Sequence, residues 1–475
     1  MVFSSNIFLF LFLPLFLAIY YLAPAKQRNL VILVGSYGFY AWWRVDFLLL
    51  FIGLTLWNYW IGLKIVSHLQ TSTSTSSGAK PWLTLGVTGD LAVLGYFKYA
   101  NFGIDNFNTI MLQYGFEPFI AAQIILPIGI SFYTFQAISY IIDVYRRDTP
   151  PTHNLVDFGA FISLFPQLIA GPVLRYKDLA NQFTDRTHSL SLFGLGAQRF
   201  MQGFIAKVFI ADSIAPIVTT CFSMKNPTTL DAWLGALAYT AQLLFDFSGY
   251  SAMAIGLGLM MGFRFIENFN QPYISQSITE FWRRWHISLS SWLKDYLYIS
   301  LGGNRGGTFK TYRNLFLTMF LGGLWHGANW TFVLWGTWHG VILSIERSLG
   351  ITGKTNGFSF TGWLLTFLLV VIGWVMFRAP DVSTAFNIYS AMFSLGQPTF
   401  SPEVTQTVTR MQLATLLLAY VCILVTGFAD SLIKRLGDIG LTVKRLMALM
   451  VLPLFLLSLL KLSAQSYSPF LYFQF

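Results

Sequence analysis

Apolar runs recur from one end of the chain to the other, separated by short polar or basic stretches. The runs at 6–22, 30–43, 47–66, 82–97, 119–142, 200–222, 232–262, 328–346, 360–377, 411–428 and 446–462 approach the length of a membrane-crossing helix, for which about 20 residues suffice. They are continuous and do not alternate apolar with polar positions, so they predict helices and speak against a transmembrane β-barrel. Shorter or more polar stretches at 155–172, 285–301 and 314–325 predict re-entrant or interfacial helices. The expectation is an all-α polytopic membrane protein with about 11–13 transmembrane or re-entrant helices, in a single domain over 1–475. Thr71 to Gly78, TSTSTSSG, reads as a flexible loop between spans. The first run has no basic stretch ahead of it and no small-residue cleavage site after it, which predicts a retained helix and not a removed signal.

Composition agrees. Only 11% of residues are charged, against about 25% in a soluble domain, too few to cover a water-facing surface. Aromatic residues make up 17%, which suits interfacial belts. The net charge of +10 raises nucleic acid as a partner, but the basic residues sit in short clusters between apolar runs. That is the arrangement of cytoplasmic loops, not of a nucleic-acid stripe. Lys26 and Arg28 follow the first run and place the amino terminus outside; the 98–118 loop then faces out. Arg146 to Arg186 and Arg264 to Arg313 fall inside. Lys434, Arg435, Lys444 and Arg445 precede the last run and put the carboxy terminus outside. The two cysteines, Cys221 and Cys422, make neither a metal-ligand spacing nor a disulfide framework.

Six histidines occur. His68, His153 and His188 fall in or near polar loops and read as solvent-exposed. His286, His326 and His339 lie in 281–340, which opens FWRRWHISLSSWLKDYLYISLGGN and closes FLGGLWHGANWTFVLWGTWHG. His326 sits in an apolar context, where an ionisable group is costly and functional by default; its alternative is a histidine bonded to a neighbouring helix. Near neutral pH an imidazole can act as a general base. His286 lies on a basic amphipathic stretch with Arg283, Arg284, Trp282, Trp285 and Trp292, a pattern equally suited to a helix lying at the interface. Asn329 is a candidate oxyanion donor beside His286. Asp295 is a candidate to orient a histidine, or a partner for Lys294 or a loop arginine. The glycines around Asn304 lack phosphate-loop spacing.

The run FWRRWHISLSSWLKDYLYI followed by GGLWHGANW resembles the signature of the membrane-bound O-acyltransferase family, in its bacterial alginate O-acetylation branch. The opening MVFSSNIFLFLFLPL, GISFYTFQAISYIIDVYRRDTPP and LFPQLIAGPVLRY resemble the same branch, so the likeness spans nearly the whole chain. It implies helices around a central tunnel, with the family's near-invariant histidine at His326 and its second polar position at His286. Trp325, Asn329, Asp295, Arg283 and Arg284 become candidates for the tunnel wall or for substrate contacts, and His339 stays structural. It implies an O-acyltransferase with no metal and no bound cofactor, located in the bacterial inner membrane. The donor would be a cytoplasmic thioester, acetyl-CoA or an acyl carrier protein. The acceptor would be a hydroxyl of an exopolysaccharide or cell-wall glycan, reached through an extracytoplasmic serine acyltransferase of the SGNH type.

The sequence ends FLYFQF, Phe470 to Phe475. An aromatic segment at the interface is one reading. The F-x-Y-F-x-F pattern also resembles the terminal motif of a small partner protein in the related teichoic acid D-alanylation system, which makes Tyr472 a candidate acyl relay. Two other classes compete: a non-covalent transporter or flippase, and a membrane scaffold of a polysaccharide-modifying complex. The first is expected to show repeated halves with broken helices, and the sequence has no internal repeat.

Overall fold

The computed structural model describes residues 1–71, 78–169, 171–351, 353, 357–394, 396, 399–428, 438–464 and 471. Most of the serine- and threonine-rich stretch, the basic pair Lys434 and Arg435, and Tyr472 lie outside the described residues. Among those described the chain is helical and contains no strand. Among the described residues six helices are long and apolar enough to cross a membrane: Asp46–Gln70, Leu190–Ser223, Thr229–Met260, Phe360–Arg378, Arg410–Gly427 and Arg445–Ala464. The all-α polytopic architecture is thus present, with shorter helices between the long ones. The chain forms two compact units, one of Met1–Gly196 with Leu257–Ile266 and one of Ala197–Gly256 with Glu267–Phe475.

The first unit holds α1 (Leu13–Leu22), α2 (Arg28–Ala41), α3 (Asp46–Thr71), α4 (Lys80–Gln113), α5 (Ile130–Arg146), α6 (Leu155–Ser163), α7 (Phe165–Leu168) and α8 (Tyr176–Thr184). The GISFYTFQAISYIIDVYR motif is α5, which packs against α3 and α4 and is buried along almost its whole length. Sequence reading ended a span at 97 and placed a loop at 98–118; instead α4 continues to Gln113. The polar residues that suggested a loop serve the helix. Asn106 and Thr109 donate to carbonyls one turn back. Asn101 and Asn108 hold the backbone of Ile124 and Phe119 through both amide atoms. The stretch 117–127 has no regular secondary structure, and helix resumes only at Ile130. His188 also departs from expectation: it is half-buried, 2.9 Å from the Tyr20 hydroxyl and 3.1 Å from Arg28 Nη1.

The second unit takes most of α9 (Leu190–Phe204) and α11 (Thr229–Met260), together with α10 (Asp212–Ser223). It continues through α12 (Ile278–Arg284), α13 (Ile287–Trp292), α14 (Thr308–His326), α15 (Trp330–Ser348), α16 (Phe360–Arg378), α17 (Val382–Met392), α18 (Pro402–Thr407), α19 (Arg410–Gly427) and α20 (Asp438–Ala464). Its most closely packed pair is α14 with α15, followed by α16 against α15. The first pair meets backbone to backbone. A Cβ on Gly323 would lie 2.3 Å from the Phe332 carbonyl oxygen, and one on Gly336 would lie 2.5 Å from that of Met319. Small residues let membrane helices gain dispersion energy by close approach where no hydrophobic drive exists between them.

Gly323→Ala is therefore expected to cost about 1–3 kcal/mol through overpacking and to lower the thermal midpoint in detergent. Gly103→Ala, at a position open to at least 4 Å, should leave that midpoint unchanged. Equal midpoints for wild type and both variants, read by intrinsic fluorescence, would show that α14 and α15 can separate at little cost.

Candidate active site

Four devices in the second unit place His286 and His326. The first is a carboxylate cap. Glu346 of α15 is buried and accepts from the amides of Ile278 and Thr279 at 2.6 and 2.8 Å and from the Thr279 hydroxyl at 2.7 Å. An anion at a helix N-terminus meets unpaired N–H groups and the positive end of the dipole. Ser277 adds a cap on the Glu280 amide. Together they fix where α12 begins.

The second is a backbone turn at the other end of α12. His286 adopts φ 44°, ψ 54°, a left-handed conformation that costs a non-glycine residue energy and concentrates at functional sites. The turn is held by pairing with a neighbouring extended segment: the Ile287 amide donates to the Asn268 carbonyl at 2.9 Å and the Asn270 amide to that of Arg284 at 2.9 Å.

The third device is the Asn268 side chain. Its Oδ1 lies 3.1 Å from His286 Nδ1, 2.8 Å from the Ser288 hydroxyl and 3.2 Å from the Ser288 amide. An amide N–H only donates, so the atom facing it must be the oxygen. That oxygen then requires the proton on His286 Nδ1 and leaves Nε2 as the lone-pair nitrogen. His286 is fully buried, with the Phe247 ring edge-on at 4.7 Å. Burial lowers its pKa to about 3, so this residue, outside the spanning helices, is neutral at physiological pH. Asn268 Nδ2 is buried and has no hydrogen-bond partner among the described residues.

The fourth device is an aromatic cage. His326, the last residue of α14, is 6% exposed. Its ring lies 5.1 Å from Trp325, 5.1 Å from Trp335 and 5.2 Å from Phe377. The Trp325 ring is also 6.3 Å from that of His286, so one indole touches both imidazoles. His339 joins the cage 5.0 Å from Trp335, and its Nδ1 accepts from the Trp282 indole at 3.3 Å.

His326, His286 and Trp325 are thus brought together. The other candidates fall elsewhere. Asn329 caps α15 by accepting from the Thr331 amide at 3.0 Å, and its Nδ2 donates to the Pro380 carbonyl at 2.8 Å. Its oxygen and one of the two Nδ2 hydrogens thus hold the start of α15. Arg284 pairs with Glu280 at 2.8 Å. Arg283 is exposed and reaches the Gly353 carbonyl. Asp295 is half-buried within the turn Leu293–Tyr298 that follows α13. Asn268 and Glu346 were not among the sequence candidates: Asn268 lies in a polar stretch, and Glu346 closes the run 328–346 at a position that reads as a helix end facing water.

Comparison with known proteins gives this arrangement a context. The sequence pattern of the membrane-bound O-acyltransferase family matches residues 146–383. A probable alginate O-acetylase from Pseudomonas putida is 62% identical over the whole of both chains. A peptidoglycan O-acetyltransferase from Helicobacter pylori is 37% identical over 83% of this chain and 80% of its own. A teichoic acid D-alanyltransferase from Bacillus subtilis is 33% identical over 46% of this chain and 58% of its own.

The neutrality of His286 has a measurable consequence. The unfolded chain protonates this residue below about pH 6.5, whereas the folded chain does so only near pH 3. Its share of stability is full above the unfolded value and is lost as pH falls from about 6.5 toward 3. His286→Phe is expected to flatten the fall of the thermal midpoint between about pH 7 and pH 5. Parallel curves for wild type and variant would show that the ring titrates freely in the folded state.

Proposed function

The chain belongs to the membrane-bound O-acyltransferase family and is a multi-pass membrane O-acyltransferase; from this premise we propose that it acetylates an exported polysaccharide of the alginate type. The acceptor is inferred from the full-length likeness to a probable alginate O-acetylase. The relatives named for peptidoglycan and teichoic acid match less closely or over less of the chain. The proposed site is the inner membrane, with both ends of the sequence outside, as the basic clusters suggest. The donor is a cytoplasmic thioester, acetyl-CoA or an acyl carrier protein, and the outer partner is an SGNH-type serine acyltransferase.

One observation carries the chemistry: His286 and His326 are both buried and both touch Trp325. In the proposed first step the Tyr472 oxygen attacks the thioester carbonyl, an O–C bond forms and the C–S bond breaks. A free phenol has a pKa of about 10, so it needs a base. His326 takes the phenol proton and returns it to the leaving thiol. His286, oriented by Asn268, is held against the same Trp325 ring as His326 and fixes the direction in which the pair faces the reacting groups. In the second step a serine hydroxyl of the partner attacks the tyrosyl ester and restores Tyr472. Covalent transfer within the family replaces the transporter and scaffold alternatives.

Purified protein incubated with labelled acetyl-CoA, then digested, is expected to carry one acetyl group on the peptide containing Tyr472. The adduct should be absent from Tyr472→Phe and His326→Ala. Asn268→Ala should slow its formation roughly ten- to a hundredfold without loss of the folded peak on gel filtration. Donor cleavage that depends on His326 but leaves no adduct would remove the tyrosine relay and keep the enzyme.

A further inference from the structure

The first unit brings two arginines together that the proposed chemistry does not use. Arg28 opens α2 and Arg186 lies between α8 and α9; both are half-buried. Neither forms an ion pair with a carboxylate of the described residues, whereas Arg44, Arg175, Arg199 and Arg284 all do. Asp157 attracts Arg186 only from beyond ion-pair distance, and its Oδ1 is taken by Asn29 Nδ2 at 2.6 Å.

Neutral groups hold the two guanidiniums in place. The Tyr20 hydroxyl donates to the Met261 carbonyl at 2.8 Å, so its oxygen accepts from His188 Nε2 at 2.9 Å. The proton of the neutral ring is then on Nε2, and Nδ1 accepts from Arg28 Nη1 at 3.1 Å. The Arg28 guanidinium also lies 5.5 Å from the Tyr20 ring and 5.8 Å from that of Tyr21. Arg186 stands 4.4 Å from the Phe263 ring and donates to Asn29 Oδ1 at 2.7 Å and to the Gln182 carbonyl at 3.2 Å. Burial, and then the charges of Arg28 and Arg186, lower the pKa of His188, so it adds no third cation at neutral pH. Arg28 opposes the charge on Arg186 in the same way. Arg28 Nε and Arg186 Nε are buried and have no acceptor among the described residues. Like charges held together in this way are relieved by an anion.

We propose that Arg28 and Arg186 form a binding site for the phosphate headgroup of an anionic membrane lipid. A guanidinium matches phosphate oxygens with two parallel N–H groups, and rings and neutral acceptors fix these two without cancelling their charge. Apolar surface beside the pair favours a lipid over a soluble phosphate. The Tyr21 ring meets that of Phe193 at 6.0 Å, which ties the end of α1 to the start of α9. Leu22, next to Tyr21, is 85% exposed, and Leu190, three residues before Phe193, is 88% exposed. The basic clusters assign Arg28 and Arg186 to the cytoplasmic side, whose leaflet carries anionic headgroups.

Native mass spectrometry of the full chain in detergent, titrated with phosphatidylglycerol, tests the site. Wild type should bind this lipid more tightly than phosphatidylcholine, whose headgroup has no net charge. Affinity for phosphatidylglycerol should fall roughly fivefold in Arg28→Gln or in Arg186→Gln, and about twentyfold in the double variant. Arg44→Gln, which removes an equal charge at the pair with Asp46, should bind as wild type does. Should the double variant fail to give a folded peak on gel filtration, the single variants carry the test. Wild-type affinity in both single variants overturns the proposal, as does an equal fall in Arg44→Gln or equal binding of the two lipids. Inorganic phosphate and coenzyme A serve as competitors. Neither should displace the lipid at a concentration matching it; displacement by either would assign the arginines to a soluble phosphate and overturn the lipid reading.

Discussion

One oxygen, Asn268 Oδ1, faces three donors: the His286 ring, the Ser288 hydroxyl and the Ser288 amide. The geometry of the candidate site depends on it. The amide fixes which end of the asparagine is oxygen, the oxygen fixes the histidine tautomer, and the tautomer decides what His286 can do. The Asn268 carbonyl also accepts from the Ile287 amide, so the same residue supports the left-handed turn through its backbone. With Glu346 gripping the other end of α12, a seven-residue helix that could not stand alone has both ends held. A turn of positive φ at a bulky residue persists only where the surroundings over-determine it, and here they do.

In the second unit several helix N-termini are satisfied by side chains of the unit itself, as backbone groups in lipid require. Asn329, Ser359, Asp381 and Thr409 cap α15, α16, α17 and α19. Asn329 stands three residues after His326, and its side chain holds the helix break that ends one element and starts the next. The same break makes His326 the last residue of its helix, so the cap sets the position of the catalytic candidate.

Much of this was legible in the sequence where local context carried the signal. The helical architecture followed from uninterrupted apolar runs. His326 followed from the rarity of an imidazole among Leu, Trp and Gly, and the motif in α5 reappears as the buried core of the first unit. What was not legible depends on partners distant in sequence. Nothing in NFNQP announces that Asn268 orients a histidine eighteen residues on, or that Glu346, at the far end of α15, caps α12. Local polarity also misled: 98–118, with Lys98, Asp105 and Glu117, read as a loop, yet α4 runs on to Gln113 and its asparagines hold the backbone of Ile124 and Phe119, in a segment whose apolar composition read as helix. Of the arginine pair on α12, Arg283 is exposed and Arg284 pairs with Glu280, an arrangement that their charge alone does not reveal.

A buried, neutral imidazole suits this chemistry better than an exposed one. An exposed histidine is partly protonated near pH 6.5, and an imidazolium can accept nothing. Desolvation disfavours the charged form, so burial keeps His286 unprotonated at physiological pH. Lys207 and Asp246, buried as well, meet the cost of burial by pairing with each other. The second unit thus contains two kinds of buried ionisable group: a histidine packed against rings, and a lysine between two carboxylates.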